Sequence, residues 1–110
     1  MRRAVAILAI AGALAGCGSQ PAAAPPPQAD AATLAMQAFE RRDWALAARL
    51  LREALAAQPA SLRLRYSLGV AAAHLDLRGE AIEQFRWVLA NAPAGSPEAA
   101  EARKWLIAAG

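Results

Sequence analysis

The chain has 110 residues, with 12 Lys and Arg against 9 Asp and Glu, a net charge of +3, one His and a single Cys. This length holds one small domain, and the lone Cys17 excludes an intrachain disulfide. The positive balance points toward nucleic acid only until Arg2 and Arg3 are set aside with the segment that carries them; 10 basic residues (12 less those two) then face 9 acidic ones, and the basic face that nucleic-acid binding demands is missing.

Met1-Arg2-Arg3 forms a short positive region, and Ala4 to Gly16 is an apolar run of 13 residues without a charge. A bilayer-spanning helix needs about 20 residues, so the run has the length of a signal-peptide core. It ends in Leu14-Ala15-Gly16-Cys17, which resembles the bacterial lipobox. The resemblance implies diacylglycerol on the Cys17 thiol, cleavage just before it and acylation of the new amino group. Several acyl chains, at ~0.8 kcal/mol per buried methylene, make a stable anchor where one chain is marginal. Gly18 follows, and lipoproteins resembling this one that lack Asp there pass to the outer membrane of a Gram-negative cell. The expected site is therefore the cell envelope, facing the periplasm in such a host, with residues 1–16 removed.

Gly18 to Ala29 contains Pro21, Pro25, Pro26 and Pro27 among Ala, Gln and Ser, with no charge and no large apolar side chain. Such a segment cannot bury enough to offset its ordering entropy and reads as an extended tether. Its 12 residues, at ~3.1 Å each, reach about 37 Å.

From Asp30 to Gly110 the pattern is helical and no strand-like alternation occurs, which predicts an all-α domain. Asp30 caps a first helix to about Arg42, with Leu34 and Ala38 on its core face. Asp43 caps a second, Trp44 to about Ala57, with Ala47, Leu50, Leu51, Ala54 and Leu55 as its apolar stripe, and Pro59 stops it. A third runs from about Ser61 to Leu75 with Leu64, Leu68 and Ala72 inward, and a fourth from about Gly79 to Asn91 with Ala81, Ile82, Phe85, Val88 and Leu89 inward, before Pro93. Ser96-Pro97-Glu98 reads as cap, first-turn Pro and dipole-matching acid of a fifth helix to about Ala108.

One offset orders these helices. Leu34, Ala35, Ala38, Ala47, Leu51, Leu55 and Pro59 are echoed 34 positions later by Leu68, Gly69, Ala72, Ala81, Phe85, Leu89 and Pro93. A two-helix unit of this length cannot bury its apolar face alone and stacks on copies of itself. Leu68-Gly69, Ala81-x3-Phe85 and Pro93 resemble the tetratricopeptide repeat (TPR), as do, more weakly, Leu34-Ala35, Ala47-x3-Leu51 and Pro59. The family's early Trp is replaced by Ala31 and Arg65, its helix A Tyr by Ala38 and Ala72, and its usual turn Gly is absent from Asp76 to Arg78. The resemblance implies a TPR-like solenoid of helix pairs, about two repeats plus a terminal helix, acting as a protein-binding scaffold.

No catalytic constellation is visible. His74 has no Cys or second His to complete a metal site, and Asp76, two residues on, points to another face. Glu80 with Glu83, and Glu98 with Glu101, have the spacing of a solvated helix face. Neither a Gly-rich phosphate loop nor a nucleophile elbow occurs. No enzyme activity, metal or cofactor is expected.

In proteins resembling this one the outward face of each helix A lines a concave groove. Transfer by register gives Met36, Phe39 and Glu40 from the first unit, Arg63, Tyr66, Val70 and His74 from the second, and Lys104 from the terminal helix. That mixture of rings and charges suits a protein or peptide segment in the envelope. In the terminal helix, Ala99, Ala102 and Leu106 are expected to pack inward while Trp105 and Ile107, extended by Trp87, form an exposed patch for a second copy or a partner's helix; the alternative is that so short a chain tucks Trp105 over its own end. The leading functional expectation is a membrane-anchored interaction adaptor. The alternative is a subunit permanently docked in an envelope machine such as an outer-membrane assembly, pilus or cell-wall complex.

Overall fold

A computed structural model describes residues 30–110; the signal-like run, Cys17 and the tether lie outside them. Among the described residues there are five helices and no strand: α1 (Ala31–Glu40), α2 (Trp44–Ala57), α3 (Leu62–His74), α4 (Arg78–Asn91) and α5 (Pro97–Ala109).

The starts follow from side-chain caps. Asp30 Oδ1 accepts from Thr33 N at 2.9 Å and Asp43 Oδ1 from Leu46 N at 3.3 Å. Ser61 Oγ accepts from Leu64 N and Ser96 Oγ from Ala99 N, both at 3.2 Å. Each satisfies one backbone N–H that the first turn leaves unpaired. Helix α4 is the exception: Leu77 stands at its cap with no side-chain bond, and the helix begins one residue before the expected Gly79.

The first helix stops at Glu40 rather than Arg42 because Arg42 takes a left-handed conformation, φ 61°. Asp76, 34 positions on, has the same φ of 61°. Both turns close with the same pair of bonds: Asp43 N donates to Ala38 O and Arg42 N to Phe39 O, and likewise Leu77 N to Ala72 O and Asp76 N to Ala73 O. These are the paired reverse bonds of a helix-terminating motif that usually takes Gly. The 34-residue interval of the sequence is thus also an interval of the backbone.

Each helix packs on the next, and α3 also touches α1 and α5. One core cluster joins α1, α2 and α3 through Ala38, Ala47, Leu51, Leu55, Leu64 and Leu68; the second joins α3, α4 and α5 through Val70, Ala72, Ala81, Phe85, Val88 and Ala102. Helix α3 is buried on most of its circumference because it serves both. Gly69 makes room for this: a Cβ there would stand 2.7 Å from Phe85 Cε1. Helices α2 and α4 are bridged by Arg52, whose Nε and Nη2 donate to Glu80 Oε2 and Oε1 at 2.8 and 2.6 Å.

Three expected placements are corrected. Leu34 is 40% exposed, whereas its counterpart Leu68 is buried. The reason is position: Leu68 packs in the cluster that includes Leu51, Ala54 and Leu55 of the preceding helix, and no described helix precedes α1. Trp105 is half-buried instead of solvent-facing, because it stacks on Phe85 with ring centroids 5.3 Å apart. Val70 is 7% exposed and belongs to the second core cluster, so its side chain does not line a groove.

Candidate functional site

On the side where α1, α3 and α5 run next to one another, two open clefts lie in succession. The first, of about 400 Å³, includes Met36, Gln37 and Glu40 of α1 and Ser61, Arg63 and Leu64 beside or on α3. The second, of about 290 Å³, is lined by Arg63 and Tyr66 of α3 and by Pro97, Glu98 and Glu101 at the start of α5. Arg63 borders both. Closed small-molecule sites of ~300–1,000 Å³ surround most of their ligand; these clefts sit at or just below the bottom of that range and open side by side, a shape suited to a chain segment laid across them.

Four of the residues expected to line the groove, Met36, Glu40, Arg63 and Tyr66, come together here. Tyr66 is held in place: its hydroxyl accepts from Trp105 Nε1 at 3.3 Å, and its ring meets Phe85 edge-on at 5.8 Å. Lys104 bonds Glu101 across one helical turn, Nζ to Oε2 at 2.9 Å. That hydrogen bond, with the attraction of the Glu101 charge, holds the Lys104 ammonium above its ordinary range.

Phe39 and His74 are placed elsewhere. Trp44, which the sequence marked only as the first residue of a helix, meets Phe39 edge-on at 5.3 Å and stacks flat on His74 at 4.1 Å with 2° between the planes. His74 in turn meets Trp105 edge-on at 6.3 Å, and Trp105 stacks on Phe85. An aromatic ladder Phe39–Trp44–His74–Trp105–Phe85–Tyr66 therefore crosses all five helices. It links the helices through stacked and edge-to-face contacts worth ~0.5–1.5 kcal/mol each beyond burial, and it reaches the second cleft at Tyr66. No single spacing could have announced it, since its members come from every helix.

The three residues expected to form a terminal patch do not meet. Trp105 is in the ladder, Ile107 is 73% exposed on α5, and Trp87 lies beneath the Arg65 guanidinium at 4.6 Å, two residues from Phe85 and so on nearly the opposite face of α4. Arg65 also donates to Pro59 O at 3.0 Å and to the buried Gln84 Oε1 at 3.2 Å. Standing where the resembling family carries Trp, Arg65 ties the α2–α3 loop to α4. Of the outer side chains on α5, Arg103 and Lys104 flank Ile107, which leaves that edge charged.

Among the described residues no group of three or more His, Cys, Asp and Glu could hold a metal ion, and no helix is long and apolar enough to cross a membrane. Comparison with protein-family models, with curated proteins and with solved structures gives no match.

Proposed function

We propose that the chain is a lipoprotein of the bacterial cell envelope, anchored through Cys17, whose TPR-like helical domain binds a protein or peptide segment across the face of α1, α3 and α5. The observation that carries this reading is the meeting of Met36, Glu40, Arg63 and Tyr66 at two adjoining open clefts. The repeat character is supported by the matching turns at Arg42 and Asp76 and by the way α3 is shared between two equivalent cores. An apolar and aromatic floor with charges at its borders holds a segment by shape and selects it by charge. The domain acts as an adaptor: the lipid keeps it at the membrane, and the tether lets the face point away from it.

The anchor is tested by Cys17→Ser. A hydroxyl cannot replace the thiolate in forming the thioether, so the variant is expected to remain unprocessed, to take up no labelled palmitate and to leave the membrane fraction. Retention and labelling equal to the parent would refute the anchor. The binding face is tested by Arg63→Glu with Met36→Ala, both outside the fully buried core, which should abolish co-purification of partners from detergent-solubilised envelopes while the helical content is unchanged. Partners retained in full by a folded double variant point instead to a docking surface elsewhere.

A further inference from the structure

The Tyr66 hydroxyl is committed on one side only. It accepts from Trp105 Nε1 at 3.3 Å, and chemistry fixes the direction of that bond: an indole N–H donates and cannot accept, whereas a phenol oxygen does both. The Tyr66 proton is therefore left over. Among the described residues Tyr66 donates to no acceptor; of the carboxylates that line the second cleft with it, Glu101 accepts from Lys104 Nζ at 2.9 Å and Glu98 forms no side-chain bond. Tyrosine hydroxyls removed from bulk water generally find a partner. Tyr66 is half-buried and lines that cleft, so an acceptor reaches its proton from whatever fills the cleft.

We infer that the Tyr66 hydroxyl is the hydrogen-bond donor of the second cleft and takes a main-chain carbonyl of an extended protein segment, an inference that rests on the reading of the face of α1, α3 and α5 as a segment-binding surface. Trp105 makes Tyr66 a better donor, because a hydroxyl that accepts a hydrogen bond donates more strongly in turn. The surroundings favour an uncharged acceptor: a carboxylate in that cleft would face Glu98 and Glu101 as well as Arg63, whereas a carbonyl has no charge to be opposed. The extended conformation follows from the carbonyl. A helix spends its carbonyls on its own N–H groups, and only its last turn has any to give; an extended segment leaves them free along its length.

The test is NMR of the full-length lipoprotein in detergent, titrated with N,N-dimethylacetamide, which has a peptide-like carbonyl and no N–H, and in a second series with acetate. Saturable shifts of the Arg63 and Glu98 backbone amide signals are expected with dimethylacetamide, and a weaker response with acetate. Tyr66→Phe removes the donor and keeps the ring, so the half-saturation point should rise about fivefold or more. Trp105→Phe keeps a ring against Phe85 and removes only the indole N–H, so the point should move by no more than about twofold. Equal effects of the two variants would mean that Tyr66 acts only through Trp105 and would overturn the inference; so would an unchanged response in Tyr66→Phe, no saturable shift in the parent, or tighter binding of acetate. Cross-linking in cells from Met36, Arg63 and Glu98 judges the face itself. Cross-links alongside any of those contrary results leave the face standing without the Tyr66 role, and their absence removes the face and the inference together.

Discussion

Trp105 Nε1 donates to Tyr66 Oη at 3.3 Å while the Trp105 ring lies on Phe85, so the last helix is locked to the wall of the second cleft by one side chain. Trp105→Ala removes the stack, the bond and the cover over Phe85. The cost should be about 2–3 kcal/mol, toward the low side of large aromatic truncations because Trp105 is only half-buried. Tyr66→Phe deletes the bond alone and should cost about 1 kcal/mol. Urea melts of Asp30 to Gly110 check both; a Trp105→Ala domain as stable as the parent would mean that α5 does not hold the fold.

Gly69 and Phe85 form a small–large pair whose counterpart in the first unit is Ala35 and Leu51. A Cβ on Gly69 would meet the Phe85 ring at 2.7 and 2.9 Å, so that ring, 2% exposed, would have to shift within its packing. Gly69→Ala should therefore destabilise by about 1–3 kcal/mol. Adding Phe85→Leu reproduces the first unit's pair and should make the two changes less than additive. Strict additivity in the double-mutant cycle would deny the contact.

Leu77 has the backbone of a cap, φ −87° and ψ 70°, close to Asp43 at φ −84° and ψ 80°, but no side-chain acceptor. Leu77 is also 41% exposed, so little burial is lost by replacing it. Leu77→Ser should stabilise by about 0.5–1 kcal/mol by capping α4; serine is chosen over aspartate because Asp76 precedes it. A lowered melting midpoint would contradict the equivalence of the two turns.

The Arg52–Glu80 bridge makes stability depend on pH. The hydrogen bonds donated by Arg52 hold the Glu80 carboxyl below its ordinary range, against an opposing desolvation and with help from the Arg52 charge. A folded-state value below the unfolded one gives stability that is present above the unfolded value and is lost as pH falls through the folded one. The same hydrogen bond pushes the Arg52 guanidinium further up, so its own contribution is constant over the acid range. With Arg52 about half exposed, the bidentate pair is worth only ~0.5–1 kcal/mol. Glu80→Gln should cost that much at pH 7, with the difference from the parent closing below about pH 4.5. A gap that persists at pH 2–3 would show that the bridge is not its source.

The helices were legible because their signals are local: Asp30, Asp43, Ser61 and Ser96 each bond the backbone three residues on, and the 34-residue echo brought paired positions into register. Leu34 was misplaced because an echo says which positions are equivalent, not which has a neighbour to cover it. Val70 was misplaced for the converse reason, since α3, shared by two cores, buries residues that a single amphipathic stripe would leave outside, and Trp105 because its large ring reaches over Phe85 of the neighbouring helix. For the site, the face of each first helix was readable from register. The sharing of Arg63 by two clefts and the stacking of Trp44 on His74 depend on how far the helices splay, which no spacing in the chain records.

The central claim is that the face of α1, α3 and α5 holds a partner in the envelope. Site-specific photo-cross-linking in living cells tests it most directly, with the photoreactive side chain placed in turn at Met36, Arg63 and Glu98 on that face and at Arg49 and Glu83 on exposed surfaces of α2 and α4. The account predicts discrete cross-linked species from the first three positions and none from the last two. Cross-links from Arg49 and Glu83 with none from Met36, Arg63 or Glu98 would contradict it.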